Sequence, residues 1–198
     1  MKRNQIKTDA SPNFIGNWNI ENNDLCSRII EFFEQNSNLH FRGKVSGGIN
    51  EKVKKTTDLT IMPKDLKNDN YDLFNEYFKH LYECYTDYRE QFPFLKTFLK
   101  KIDIGPFNIQ KYLAGDHFSE FHSERTEIAT VHRIFAWMTY LNDVEDGGTT
   151  DFDYYKVKVK PECGKTLIWP AEWTHMHRGA VLKSGKKYII TGWLHFKN

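Results

Sequence analysis

An imidazole and a carboxylate stand two residues apart near the middle of this 198-residue chain, in the polar turn Tyr112-Leu-Ala-Gly-Asp-His-Phe-Ser-Glu-Phe-His122-Ser-Glu124. On an extended segment, positions i and i+2 point to one face, so His122 and Glu124 can reach a single metal ion while Ser123 faces away. With 8 histidines and 26 acidic residues, chance supplies roughly one such pair, so its weight rests on what else the chain offers. A third ligand stands in Trp173-Thr-His175-Met-His177-Arg-Gly179, in the loop after a strand ending at Trp169-Pro170. Either His175 or His177 completes two imidazoles and a carboxylate. That set leaves one face of an octahedral ion open and suits non-haem Fe(II) with oxygen, although zinc accepts the same ligands. Ten residues after His177, Lys187 opens a strand that alternates Lys187, Ile189, Thr191 and Trp193 on one face with Tyr188, Ile190, Gly192 and Leu194 on the other. An inward lysine is costly unless paired, so an anion is its natural partner. A carboxylate held by Lys187, with Thr191 as hydrogen-bond donor, fits that wall.

The elements that carry these residues follow from period and punctuation. Residues 1–20 are polar and broken at Ser11-Pro12-Asn13, which predicts a surface course or an edge strand. Asn23 or Asp24 can cap a helix whose Leu25, Ile29, Ile30, Phe32 and Phe33 recur at helical spacing. Residues 40–68 predict two short strands joined by a mobile loop, of which the glycine-punctuated, basic 43–58 stretch is a candidate lid over a site, and the Lys52–Lys55 cluster reads as a solvated face. From Asp69 to about Gln91, Leu73, Phe74, Tyr77, Phe78, Leu81, Tyr82, Tyr85 and Tyr88 form a helical stripe broad enough to pack on a sheet, with Pro93 at its end. After Gly105-Pro106 come strands at 107–112, 133–141, 150–155, 157–160, 165–169 and 187–196, with a turn at Asp146-Gly147-Gly148. Helices followed by many short strands predict an α+β chain in which a double-sheeted barrel or jelly roll carries helices on one outer face. One domain over 1–198 is expected, helical or irregular to about 104 and β from about 105.

Composition narrows the function. A net charge of +2 is too mild for a nucleic-acid protein, and no apolar run is long enough to span a membrane. The start lacks the apolar region of a signal peptide, and Cys26, Cys84 and Cys163 form neither an even set nor a Cys-x-x-Cys pair, so a reducing cytoplasm is expected.

Several motifs occur in one order: Tyr112 ten residues before a histidine, His122-x-Glu124, Tyr140-Leu-Asn142, Gly147-Gly-x-Thr-x-Phe152, then His177 and Gly185-x-Lys187-Tyr-x-x-Thr191-x-Trp193. This ordered set, from Phe107 to Phe196, resembles the 2-oxoglutarate- and Fe(II)-dependent dioxygenases, and within them the prolyl 4-hydroxylase-like branch. The resemblance implies a double-stranded β-helix core with flanking N-terminal helices. It implies that His122, Glu124 and His177 bind iron, and its placing relative to Gly185-x-Lys187 favours His177 over His175. It further implies that Lys187 pairs with the distal carboxylate of 2-oxoglutarate, that Tyr140 and Thr191 hydrogen-bond the co-substrate, and that Tyr112 and Trp193 line the pocket. Ile189 and Leu141 would keep water out, and segment 113–121 could help the 43–58 loop cover the mouth. Fe(II), 2-oxoglutarate and O2 are the implied cofactors, with ascorbate an optional addition. The implied reaction hydroxylates a prolyl residue of a protein or peptide, with succinate and CO2 as co-products. A free amino acid, another small molecule or a nucleobase is the alternative substrate, and a non-catalytic jelly-roll binding module the alternative of another class. Glu124 departs from the usual aspartate, and Lys187 stands where many relatives carry arginine.

Overall fold

Strands that are apolar on both faces need covering on both sides, and the central strands of this chain are covered by helices on one side and a second sheet on the other. The computed structural model describes residues 1–7 and 12–197, which leaves Ser11 of the 11–13 break outside the described residues. The strands are β1 (Lys2–Asn4), β2 (Gly16–Asn19), β3 (Phe41–Arg42), β4 (Lys54–Lys55), β5 (Thr57–Ile61), β6 (Ile102–Ile104), β7 (Phe107–Leu113), β8 (His117–His122), β9 (Arg133–Tyr140), β10 (Thr150–Phe152), β11 (Val157–Val159), β12 (Lys165–Pro170), β13 (His177–Gly179) and β14 (Lys186–Phe196). Three helices, α1 (Asn23–Gln35), α2 (Asp72–Gln91) and α3 (Phe94–Phe98), lie before β6. The major sheet runs β1-β2-β12-β9-β14-β7-β5-β3, with β6 on the end of β14, and the minor sheet runs β11-β10-β13-β8-β4; every pairing is antiparallel. The two sheets form a double-stranded β-helix.

Side-chain alternation sorts the apolar residues into two cores. Outward from the major sheet, Leu59, Ile61, Phe107, Ile109, Phe135, Trp137, Ile168, Tyr188, Ile190 and Leu194 meet Leu25, Ile29 and Phe33 of α1 and Phe74, Tyr77, Leu81 and Tyr88 of α2. Inward, Tyr112, Ala136, Met138, Tyr140, Leu167, Trp169 and Ile189 face Phe152, Val157 and Val159 of the minor sheet. Gly192 sits on the outward face, where an added Cβ would lie 2.7 Å from Trp137 Cζ2 and 2.9 Å from Phe107 Cβ, so a side chain there would displace the aromatic layer under α2. The helix caps also differ from expectation: the side chain of Asn22, not Asn23 or Asp24, accepts from Leu25 N and starts α1.

Of the described residues before Glu21, β1 is the expected edge strand, while β2 lies inside the sheet between β1 and β12 and carries the fully buried Trp18, whose indole N–H donates to Asp87 Oδ2 at 2.9 Å. Two further expectations are corrected. Lys54 is no solvated lysine but a buried one, 2.7 Å from Asp58 Oδ2, and residues 40–68 hold the three short strands β3, β4 and β5 rather than two. Leu141 belongs to the outward core, under the helices, and not to the inward face. Among the described residues, no helix is long and apolar enough to cross a membrane.

Candidate active site

The inward face of the major sheet and the inward face of β8 and β13 enclose a cavity of about 830 Å³. His122, the last residue of β8, and His177, the first of β13, are direct cross-strand partners, with ring centroids 4.5 Å apart. Glu124 lies two residues past the end of β8 and turns back toward both. Its Oε1 is 3.3 Å from His177 Nε2 and 3.8 Å from His122 Nε2, and one ligand atom from each of the three residues falls within 4.8 Å of the others. Among the described residues this is the one group of three or more such side chains so placed.

The surroundings fix the ligand atoms. His122 Nδ1 is 3.0 Å from the Glu120 carbonyl, and His177 Nδ1 is 3.1 Å from the His175 carbonyl. A carbonyl only accepts, so each Nδ1 carries the proton and each Nε2 lone pair is left for a metal. Phe118 stacks on the His122 ring at 3.8 Å, and Trp169 meets the His177 ring edge-on at 4.8 Å. Burial, helped by neighbouring His177, holds His122 down to about 4, so it is neutral at physiological pH. Burial pushes Glu124 up, but the histidines and the Trp193 indole N–H outweigh it and leave the carboxyl at about 2, ionised. Two imidazole Nε2 atoms and an anionic carboxylate converging on one point fit a divalent ion. His175 does not join them: Nε2 bonds the Asn13 carbonyl at 2.9 Å and Nδ1 the Thr174 hydroxyl at 3.0 Å.

The opposite wall is the inward face of β14, where Lys187, Ile189, Thr191 and Trp193 all line the cavity as the alternation requires. Lys187 is almost fully buried, and among the described residues no carboxylate lies within ion-pairing distance of it. Its Nζ donates to the Gly148 carbonyl at 2.9 Å and lies 4.0 Å from the centre of the Tyr112 ring. Gly148 has φ +65°, and a Cβ there would come 3.2 Å from Lys187 Cδ, so the Gly147-Gly148 turn both frees the carbonyl and leaves room for the lysine stem. Burial pushes the Lys187 ammonium down to about 7, offset in part by Asp151.

Two residues stand differently from their expected roles. The Thr191 hydroxyl donates to the Trp137 carbonyl at 2.8 Å, so its one proton is committed and it can only accept from a ligand. Tyr140 is fully buried beneath the lining, its hydroxyl donating to Thr150 Oγ1 at 2.6 Å and standing 3.3 Å from the Val159 carbonyl; Thr150, not Tyr140, faces the cavity. Tyr112 lines it and donates to Gln110 Oε1 at 2.9 Å. Sequence reasoning missed a polar chain on this wall: Gln110 donates to Asp58 Oδ2, which also receives Lys54, while Thr56 donates to Asp58 Oδ1. The i, i+4 spacing of Lys54 and Asp58 was the available signal. At the rim, Lys44, Ser46 and Asn50 on one side and Thr126 and Glu127 on the other are solvent-exposed, so the cavity opens between them.

Residues 107–195 match the family model of the 2OG-Fe(II) oxygenase superfamily. This stretch, just under half of the chain, matches as a 2OG-Fe(II) oxygenase domain. A probable prolyl 4-hydroxylase of Arabidopsis thaliana is 28% identical to the chain over 114 residues, which cover 44% of the chain and 40% of the plant protein's own length. Among solved structures, the viral collagen prolyl hydroxylase of Paramecium Bursaria Chlorella virus-1 in complex with 2OG superposes with a TM-score of 0.69 at 16% identity, covering 96% of this chain and 99% of that one. A Trichoplax adhaerens prolyl hydroxylase in complex with a hypoxia inducible factor peptide gives a TM-score of 0.71 at 13% identity, covering 93% and 84%. These likenesses establish that the oxygenase domain shares the double-stranded β-helix of the prolyl hydroxylases. The family implies Fe(II), 2-oxoglutarate and O2, and the oxygenase domain carries the His122–Glu124–His177 group that could hold the iron.

Proposed function

We propose that this chain is a 2-oxoglutarate- and Fe(II)-dependent hydroxylase acting on prolyl residues of a protein or peptide. The observation that carries the 2-oxoglutarate part is Lys187, a buried amine in the wall opposite the histidines, with no carboxylate within ion-pairing distance among the described residues. A buried charge of this kind is stabilised by a ligand that brings the opposite charge, and a dicarboxylic keto acid offers one end to a metal and a second carboxylate to a cation.

His122, Glu124 and His177 would hold Fe(II), which, when bound, supplies the oxygen activation that couples conversion of 2-oxoglutarate and O2 to succinate and CO2 with hydroxylation of a C–H bond. The chain's own residues do the rest. Held by only these three side chains, the ion would stay accessible to the co-substrate from the cavity. Lys187 would anchor the distal carboxylate and Tyr112 flank its ammonium, while Thr191 and Thr150 present oxygens along the same wall. Ile189 and Met138 line the cavity and exclude water.

The prolyl-peptide reading rests on the prolyl 4-hydroxylase relatives and on a neighbour whose structure holds a peptide. The rim open between Lys44–Asn50 and Thr126–Glu127 supports it, since a macromolecular substrate needs an open mouth. The test is to incubate the purified protein with Fe(II), ascorbate, O2 and 2-oxoglutarate, which should yield succinate slowly without a prime substrate and faster with a proline-containing peptide. A complete lack of succinate under both conditions overturns the reading.

A further inference from the structure

Glu124 uses its two oxygens differently. Oε1 faces the histidines, while Oε2 receives the Trp193 indole N–H at 2.7 Å. Arg133 lies over the same indole, its guanidinium carbon 3.6 Å from the ring centroid, and its Nη1 donates to the Glu124 backbone carbonyl at 3.0 Å. Glu124 sits beyond the last ladder pairing of β8, in a bend where no sheet hydrogen bond fixes its main chain. Arg133 supplies that fixation from the first residue of β9, and Trp193 fixes the side chain from β14. A glutamate has one more rotatable bond than an aspartate and so more conformers to lose on binding an ion. The indole selects one of them.

We propose that Trp193 and Arg133 form a clamp that holds the Glu124 carboxylate in its metal-binding orientation, and that the longer side chain at this position is required by the clamp. Shortening Glu124 by a methylene withdraws the carboxylate by about 1.5 Å, so one oxygen cannot reach the indole while the other reaches the histidines. Trp193 is then a positioning residue for the metal as well as a wall of the pocket. The inference rests on the iron-site reading above.

The test is Mn(II) binding to the full chain without keto acid, followed by the paramagnetic resonance signal of the free ion. Supporting partners of metal ligands typically change affinity roughly 10–100-fold when removed, and Trp193→Phe should weaken Mn(II) binding by that order. Glu124→Asp should weaken it too, and Trp193→Phe should then add little in the Glu124→Asp background, because the bond it removes is already lost. Arg133→Met, which keeps an apolar stem over the indole, reads the clamp independently if Trp193→Phe fails to fold. The proposal is overturned if the wild-type chain binds Mn(II) and Trp193→Phe and Arg133→Met bind it as tightly, or if the losses from Trp193→Phe and Glu124→Asp simply multiply. A wild-type chain that binds no Mn(II) even at millimolar concentration overturns the iron site itself, a result distinct from a failed clamp.

Discussion

Replacing His177 with alanine should abolish 2-oxoglutarate turnover, whereas His175→Ala should leave turnover intact and lower stability by about 1 kcal/mol through loss of the bond to the Asn13 carbonyl. Succinate assays and urea titrations of both variants check this, and the reverse pattern would exchange the two roles. Lys187→Ala should raise the 2-oxoglutarate requirement by roughly 30-fold or more, the ~2 kcal/mol lower end for losing one partner of a buried charge pair. The same lysine predicts a pH dependence. Its folded value of about 7 lies below the ordinary 10.5, so above pH 7 the free protein holds it neutral. A dicarboxylate binds the charged form, so binding should take up close to one proton at pH 8 and almost none at pH 6, and affinity should fall as pH rises past 7. Calorimetry in buffers of different ionisation enthalpy measures the uptake, and none at pH 8 would sink the pairing. Spacing alone was enough to nominate His122, Glu124 and Lys187, because i, i+2 and strand alternation are local. The state of Thr191 and Tyr140 was not legible, since their hydroxyls bond Trp137, Thr150 and Val159, whose nearness is made by strand pairing far along the chain.

The elements with an apolar period were read well, and those without one were not. α2 and β14 follow their stripes. β8 looked like a turn because Phe118, Glu120 and His122 line the cavity while half-buried Ser119 donates to the Lys52 carbonyl and Phe121 is exposed, so neither face carries a hydrophobic pattern. β13 has three residues and no pattern to show. Lys54 at the root of the 43–53 loop looked solvated because its partner comes from the next strand. Lys54→Met should therefore destabilise the chain by about 3 kcal/mol, since Asp58 stays buried with only the Thr56 and Gln110 bonds. Leu81→Ala on α2, fully within the outward core, should cost about 2–5 kcal/mol while leaving 2-oxoglutarate affinity unchanged, because it lies across the sheet from the cavity. Denaturation midpoints and ligand titrations together separate the two kinds of loss.

For the whole molecule, α+β class and helices on one outer face followed from the order of patterns, but the strand order β1-β2-β12-β9-β14-β7-β5-β3 did not. Neighbours in that order lie up to about 150 residues apart in the chain, as β2 and β12 do, and no local period encodes which strand meets which. The same closure around one cavity decides what the protein can act on. In a cell lysate given Fe(II), ascorbate and 2-oxoglutarate, the expected outcome is a set of proline-containing peptides that gain one oxygen, detected by mass spectrometry. A gain confined to free amino acids or nucleobases would favour the small-molecule alternative.

The eleven residues of β14 write two messages on one line. Tyr188, Ile190 and Leu194 belong to the helical core, and Lys187, Thr191 and Trp193 to the cavity. In a saturation library, protein abundance and turnover should therefore rise and fall out of phase along this strand, one residue apart. Deleting a single residue near its middle would exchange the two readings beyond that point, so folding and chemistry would fail together rather than in turn.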